Sequence, residues 1–254
     1  MLKFLKNHPF AVETFFKSSL VLTFVAPKEQ LQVLIPACLE LDVFNDKWAF
    51  IAIAMVQTKY LRPKGFPKFL GNDFFLVGYR VFVRYTNQAG KSLRGLYILK
   101  SETDQRKMAL FGNIFTHYNY TNTDITDVIT QNTRSISSKK SAFELLIDDT
   151  GDEPVLLPEG SPFANWKEAR RFAGPLPFTF TYTAAENKVL IIEGVRKNWV
   201  PKPVKVTRYS FSFLNDLKLH DIKLANAFVI ENVPYYWKKG KIELWNQENN
   251  SRVF

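Results

Sequence analysis

The sequence predicts a mainly β (α+β) protein that folds as one large antiparallel β-barrel with a few short helices. Aromatic residues make up 15% of the 254 residues, including 23 Phe and 10 Tyr, and such residues favour half-buried strands over helical bundles. Apolar and polar residues alternate along many segments, as they do on strands with one buried face. Short connections rich in Asn, Asp and Gly separate these segments, so antiparallel neighbours are expected. About ten to thirteen strands favour a closed arrangement, because closure removes exposed strand edges.

The first half of the chain contains four segments with the strand pattern, and two turns separate them. The strand segments are 38–44, 48–56, 73–86 and 93–102. Asn45-Asp46 and residues 87–92 are interpreted as hairpin turns, because Asn, Asp and Gly tolerate left-handed backbone angles.

The second half repeats the strand pattern, and helices are few. Five further strands are expected at 143–149, 177–184, 188–195, 204–214 and 222–233, with a tight turn at 185–188. Helices are expected at 27–35, at 104–115 after Thr103 as N-cap, and at 161–174, which starts at Ser161-Pro162 and ends at Gly174. No internal repeat or flexible linker divides the chain, so a single domain over 1–254 is expected.

Composition and motifs disfavour several classes of protein. The net charge is +10, but the cations are dispersed, which makes nucleic-acid binding a weak alternative. One cysteine, Cys38, and three scattered histidines offer no metal-ligand spacing, and the acidic run 148–153 is interpreted as a solvated turn. No apolar run approaches about 18 residues, so we expect a cytoplasmic protein without a membrane partner. No cofactor is expected, since phosphate loops and similar motifs are missing.

Several stretches resemble one family when they are taken together. Residues 22–56, 78–85, 95–104 and 111–120 resemble the DUF2071 family of uncharacterised bacterial proteins, which is grouped with the acetoacetate decarboxylase-like fold. The resemblance is clearest over residues 20–121. It includes Leu34-Ile35-Pro36 before Leu39, Arg80 in a central strand, and Gly95-Leu96-Tyr97. The resemblance therefore implies a barrel of the acetoacetate decarboxylase-like type.

The resemblance also implies a difference in chemistry. Acetoacetate decarboxylases use a Schiff-base lysine activated by a neighbouring lysine, within a Gly-x-Pro-Lys-Lys motif. The corresponding stretch here is 112–116, Gly-Asn-Ile-Phe-Thr, so neither lysine is present. The central strand also lacks the family's glutamate before Arg80. Lys100 is the remaining amine candidate, although a lysine at that point of a strand more often lies in solvent. Decarboxylation through an imine is not expected.

The candidate site centres on residues 111–120. His117 and Tyr118 are the catalytic candidates, with His117 as general acid or base and Tyr118 as a group that orients the substrate. The alternative for His117 is a structural role, in which its imidazole bonds to a backbone carbonyl. If 116–120 is a strand, one of two sets of side chains faces the interior of the barrel. The first set is His117 and Asn119, and the second is Thr116, Tyr118 and Tyr120. Five further residues are candidates for ligand binding: Arg80, Tyr97, Asn113, Thr116 and Tyr120.

These observations predict a small-molecule-binding barrel whose ligand is anionic or contains a carbonyl group. An inward arginine such as Arg80 suits a carboxylate, because its guanidinium donates two parallel hydrogen bonds. A lyase-like enzyme and a non-catalytic binding or interaction protein are both compatible with the sequence, so whether the protein is an enzyme stays open at this point. A homodimer is a further expectation from the Phe-rich composition.

Overall fold

The computed structural model describes residues 3–148 and 154–245. In these ranges the strands are β1 (Val12–Pro27), β2 (Glu40–Leu41), β3 (Trp48–Pro63), β4 (Asn72–Thr86), β5 (Ser92–Thr103), β6 (Tyr120–Asn122), β7 (Thr126–Ile129), β8 (Thr133–Ser138), β9 (Phe143–Asp148), β10 (Phe178–Thr183), β11 (Lys188–Arg196), β12 (Lys202–Pro203), β13 (Lys205–Phe211), β14 (Lys223–Trp237) and β15 (Lys241–Leu244). The α-helices are α1 (Lys28–Gln32), α2 (Arg106–Phe115), α3 (Trp166–Ala173) and α4 (Ser212–Asp216). Residues 149–153, in the acidic run expected to form a turn, lie outside the described residues.

The pairings of the main sheet form a closed ring of strands. β1 pairs with β14 on one side and β3 on the other, and β3 continues to β4 and β5. β5 pairs with β10, β10 with β11, and β11 returns to β14. The mainly β prediction is confirmed, but the sheet is mixed, because β6 and β10 run parallel to β5. Parallel neighbours need a longer crossover, which α2 and α3 with their loops supply.

A second sheet covers part of the outer face of this ring. Its four antiparallel strands run in the order β13, β9, β8 and β7. Phe211 of β13 makes edge contacts with Phe24 of β1 and Tyr79 of β4, at ring-centroid distances of 6.2 and 6.5 Å. Leu145 and Ile136 are fully buried in the same core. The odd-numbered β4 residues at 77 to 83 therefore pack outward, which leaves the even-numbered ones for the interior of the ring, here called the lumen.

One end of the lumen is filled by α3 and the loop before it. Phe163 stacks on Phe50 of β3 at 5.6 Å, and Ala169 and Ala173 of α3 pack beside Phe82 of β4. The helix starts later than the sequence predicted, because Asn165, and not Ser161, provides the N-cap and accepts from the Glu168 backbone at 3.0 Å. It ends at Gly174, as expected.

Other differences from the predicted elements have simple causes. β1 was not predicted as a strand, because its second half is buried on both faces and shows no alternation. Thr103 belongs to β5 and accepts from the Gln105 backbone at 3.3 Å, while Gln105 precedes α2. The strand expected at 204–214 ends at Phe211 and continues into α4. The turn at Asn45-Asp46 is confirmed by φ angles of 51° and 53°.

Candidate functional site

A cavity of about 120 Å³ lies in the lumen, next to the end that α3 fills. It is lined by residues of β1, β3, β4, β5, β6, β10, β11 and β14 and by the segment after α3. Most of its wall is apolar. The charged and phenolic groups converge from four places: Arg80 on β4, Tyr118 and Tyr120 around the start of β6, Arg196 on β11, and Tyr235 on β14. Ser19, Ser101 and Thr179 add hydroxyl groups to the wall. We call this space the lumen cavity.

Arg80 is the central polar group of the lumen cavity. Its side chain folds back along β4 over Gly78, so that Nε and Nη2 lie 3.0 Å from the point where a Cβ on Gly78 would stand. The accessible surface that Arg80 retains faces the cavity, whereas Nε has no accessible surface and no hydrogen-bond partner. No acidic side chain is present among the described residues that line the cavity. The guanidinium is therefore a partly buried cation without a counter-ion in the described part of the chain.

The electrostatic surroundings of Arg80 are set by burial and by tyrosines. Burial lowers the pKa of Arg80 from its usual value. The hydroxyls of Tyr235, Tyr120 and Tyr118 act in the opposite direction. A guanidinium keeps its proton in proteins even when desolvated, so the lumen cavity presents a positive charge that an anion would neutralise.

Three tyrosine hydroxyls belong to the same site, and each keeps its proton at neutral pH. Burial raises the pKa of Tyr120 to about 12 and raises those of Tyr118 and Tyr235 as well. The Tyr118 hydroxyl has no accessible surface. Thr179 lies close enough to lower the pKa of Tyr118, yet no hydrogen bond of normal geometry joins the two side chains. Protonated hydroxyls beside a guanidinium can donate hydrogen bonds to the oxygens of a ligand.

The segment 112–120 is built to hold two of these tyrosines. Asn113 brackets the backbone of Tyr120: its Nδ2 donates to the Tyr120 carbonyl at 2.9 Å, and its Oδ1 accepts from the Tyr120 amide at 2.8 Å. Thr116 donates to the Gly112 carbonyl at 2.7 Å and accepts from the Tyr118 amide at 3.3 Å. A Cβ on Gly112 would stand 2.3 Å from the Tyr120 ring, so only glycine permits this approach. Asn113 and Thr116 thus position the tyrosines.

Arg196 is a second cation in the wall, and it is engaged elsewhere. Its Nη2 donates to the Pro175 carbonyl, and its guanidinium lies 5.5 Å from the Trp199 ring centroid and 5.8 Å from that of Tyr235. The residue lines both the lumen cavity and an open surface groove, as does Tyr235. Arg196 and Tyr235 therefore form the layer that separates the cavity from this groove.

A second, larger space adjoins the first and is half open to solvent, since Phe10 and Phe111 in its wall are 38% and 40% exposed. It has a volume of about 270 Å³, and its lining is mainly apolar, with Phe10, Phe74, Met108, Phe111 and Phe115 among the contributing residues. Its wall shares four residues with the lumen cavity: Leu76, Tyr118, Tyr120 and Trp237. We call this second space the apolar chamber. One layer of side chains thus separates two spaces of different polarity.

The structure separates the remaining candidates from the cavities. His117 lines neither space, and Nε2 of its imidazole is buried without a partner. Burial and the charge of Lys6 lower its pKa, whereas Glu186 raises it. Tyr97 packs in the outer core, where burial raises its pKa and Cys38 adds to that effect. Catalysis by His117 and ligand binding by Tyr97 stay predictions, without direct contact to the cavities.

The other charged candidates of the central strands form ion pairs outside both cavities. Lys100 pairs with the buried Glu102 at 2.7 Å and faces Tyr79 and Phe213, on the outer side of the ring. Arg84 and Arg94 share the fully buried carboxylate of Asp42, each at 2.6 Å. These pairs stabilise the scaffold, and none of them lines either cavity.

Sequence reasoning missed Arg196 and Tyr235 as members of the site. Neither residue was among the candidates that the sequence suggested. A usable signal was present, because glycine within a strand marks close approach by another group. Gly78 lies under Arg80, and a Cβ on Gly194 would stand 1.7 Å from the Tyr235 hydroxyl. Both glycines thus mark the cavity wall.

The described ranges contain neither a cluster of metal-ligating side chains nor a membrane-spanning helix. Side chains of His, Cys, Asp and Glu do not come together in threes around a point where a metal ion could bind. None of the helices in those ranges has the length and apolar character needed to cross a membrane.

Comparison with known proteins places this geometry in a family and a fold. A model of the DUF2071 family, described as an uncharacterized conserved protein, matches residues 16–246. Acetoacetate decarboxylase from Legionella pneumophila is 13% identical with a TM-score of 0.60, over 93% of this chain and 89% of that chain. An acetoacetate decarboxylase-like enzyme from Sphingomonas wittichii RW1 is 11% identical with a TM-score of 0.57, over 92% and 93%. The enduracididine biosynthesis enzyme MppR complexed with pyruvate is 8% identical with a TM-score of 0.54, over 92% and 90%. No curated protein matches the sequence. The acetoacetate decarboxylase-like fold is confirmed.

Proposed function

The chain belongs to the DUF2071 family, and from its lumen we propose that it binds a small carboxylate compound through Arg80. One observation carries the proposal: the guanidinium lies over Gly78 with its Nε buried and unpaired, and no acidic side chain lines the cavity among the described residues. Burying an unpaired charge is costly, and proteins rarely keep one without a partner. A carboxylate is the partner that a planar guanidinium fits best.

The tyrosines indicate that the ligand also has a hydrogen-bond acceptor next to its carboxylate. Tyr118, Tyr120 and Tyr235 stay protonated because burial raises their pKa values, so they donate hydrogen bonds and carry no charge. A carbonyl oxygen next to the bound carboxylate would accept from these donors. The structure of MppR with pyruvate shows a protein of the same fold holding such a compound, which supports pyruvate as a first probe.

A second candidate function is lyase-like catalysis without an imine, and the buried Tyr118 hydroxyl favours it. This hydroxyl has no hydrogen-bond partner among the described residues and no accessible surface. Rotation of the Tyr118 ring would therefore bring it to the ligand, where it could donate to a carbonyl oxygen as negative charge develops there. Imine chemistry is not proposed, since no lysine is found among the described residues lining either cavity. In this case Tyr118 polarises the carbonyl while Arg80 fixes the carboxylate.

Calorimetry with pyruvate tests the binding proposal. We expect Arg80→Met to weaken binding by about 10- to 150-fold, because a hydrogen bond to a charged group contributes about 1.5–3 kcal/mol. Arg84→Met is the matched control: Arg84 lies four residues along the same strand, but it pairs with Asp42 outside the cavity. Equal binding by wild type and Arg80→Met, or equal loss in both variants, would refute the assignment.

A further inference from the structure

We propose that the ligand is an amphipathic monocarboxylate, whose carboxylate binds Arg80 and whose apolar body occupies the apolar chamber. This inference rests on the proposed function and specifies its ligand class. It assigns the chamber a role as the specificity-determining part of one two-part site.

The direction of the Arg80 side chain joins the two spaces. Leu76, Gly78 and Arg80 lie on the same face of β4, and the guanidinium folds back over Gly78. Leu76 belongs to the wall that both spaces share. Since a strand rises about 3.3 Å per residue, the guanidinium lies only about 7 Å along the strand from Leu76. A chain of a few carbon atoms spans that distance.

The shared wall is made of aromatic and apolar side chains, and none of its described residues is charged. Tyr118 and Tyr120 form a tilted ring pair at 6.3 Å, and Trp237 and Leu76 complete the wall. Tyrosine and tryptophan present apolar ring faces while their polar atoms reach elsewhere. An apolar chain that runs from Arg80 into the chamber would therefore pass between these side chains, with the tyrosines close to its polar end.

The chamber itself is suited to hydrocarbon. An enclosed apolar cavity of about 150 Å³ binds benzene, and the half-open chamber offers about 270 Å³. Its charged side chain, Arg62, is engaged with Glu13 at 2.7 Å and with the Phe66 carbonyl at 2.7 Å. Thr116 is bonded to the Gly112 carbonyl.

The N-terminal segment closes one side of this space with little polarity. The Phe10 ring packs edge-on against Phe115 at 5.5 Å. His8 is buried beside it and has an unpaired Nδ1, and burial lowers its pKa, so the imidazole stays neutral. Acidic side chains are missing from the described lining of the chamber. Charge is therefore recognised at Arg80, and size and apolar area are recognised in the chamber.

A series of carboxylic acids of increasing chain length measures the separate contributions of Arg80 and the apolar chamber to binding. Acetate, butanoate, hexanoate and 3-phenylpropanoate are titrated by calorimetry into the full-length protein. Burial of each methylene group is expected to tighten binding by up to about fourfold. We therefore expect hexanoate to bind at least tenfold more tightly than acetate.

Variants of α2 locate the tail. Met108 lines the chamber, whereas Leu110, two residues along the same helix, is 60% exposed. Met108→Trp should remove the gain from hexanoate and change acetate binding less than twofold, while Leu110→Trp should leave both unchanged. Met108→Ala enlarges the chamber and should tighten 3-phenylpropanoate relative to hexanoate, which keeps the test informative if Met108→Trp does not fold.

The outcomes separate this inference from the proposed function. Equal affinity for acetate and hexanoate, with acetate still dependent on Arg80, would overturn the inference and leave the proposed function standing. Hexanoate binding that is insensitive to both Met108 variants, or equal in wild type and Arg80→Met, would also overturn it. Absence of binding by any acid would overturn the proposed function itself.

Discussion

Replacing Arg80 with methionine is expected to stabilise the fold while it weakens ligand binding. The Nε–H of Arg80 is buried and unpaired, and such a donor costs about 1–3 kcal/mol relative to a satisfied one. Methionine keeps most of the apolar length of the side chain and removes both the donor and the charge. We therefore expect the free energy of unfolding to rise by about 1–3 kcal/mol, which corresponds to about 2–4 °C in Tm for each kcal/mol.

The same substitution at Arg84 provides the contrast. Arg84 is 40% exposed and pairs with Asp42, which keeps Arg94 as a second partner. Removing Arg84 should cost at most about 1 kcal/mol, as for other partly exposed ion pairs. Urea denaturation of both variants without ligand measures these opposite changes in the free energy of unfolding. A loss of stability in Arg80→Met as large as in Arg84→Met would show that Arg80 has a stabilising partner, and the reasoning about an unpaired cation would be wrong.

Three further predictions concern the support, the ionisation and the chemistry of the site. Asn113→Ala removes two hydrogen bonds to the Tyr120 backbone, so it should lower the free energy of unfolding, measured in urea, by about 1–2 kcal/mol and should weaken pyruvate binding. Unchanged affinity for pyruvate would show that Asn113 does not support the binding site. The folded pKa of Tyr120 is about 12, above its unfolded value of about 10, so its contribution to stability is present below pH 10 and is lost as the pH rises to 12. The urea midpoint of Tyr120→Phe should therefore fall less steeply than that of the wild type between pH 10 and 12. Identical slopes in the two proteins would contradict the raised pKa. Incubation with pyruvate and borohydride should give no covalent adduct by intact mass, since lysines such as Lys100 lie outside the cavities; an adduct on a lysine would revive imine chemistry.

Much of the fold could be predicted from alternation and turn residues. Strands with one polar face, such as β5 and β10, were visible, as was the turn at Asn45-Asp46. β1 was missed because neighbours on both faces bury it, which removes the period of two. The parallel pairing of β5 with β10 joins residues about 80 apart in sequence, and no local pattern carries that information.

The candidate site could be predicted in place but not in orientation. Tyr118 and Tyr120 line both cavities and Thr116 lines the apolar chamber, whereas His117 and Asn119 line neither. Residues 116–119 are not a strand, so strict alternation could not settle this in advance. Asn113 and Thr116 also bond to nearby backbone, a role that amide and hydroxyl side chains often take at helix ends.

A crystal structure grown with pyruvate tests the central claim most directly. The proposed function predicts pyruvate in the lumen cavity, with both carboxylate oxygens about 2.7–2.9 Å from guanidinium nitrogens of Arg80 and a tyrosine hydroxyl donating to the ligand. Pyruvate bound away from Arg80, or a lumen in which Arg80 pairs with a carboxylate of the protein itself, would contradict the account.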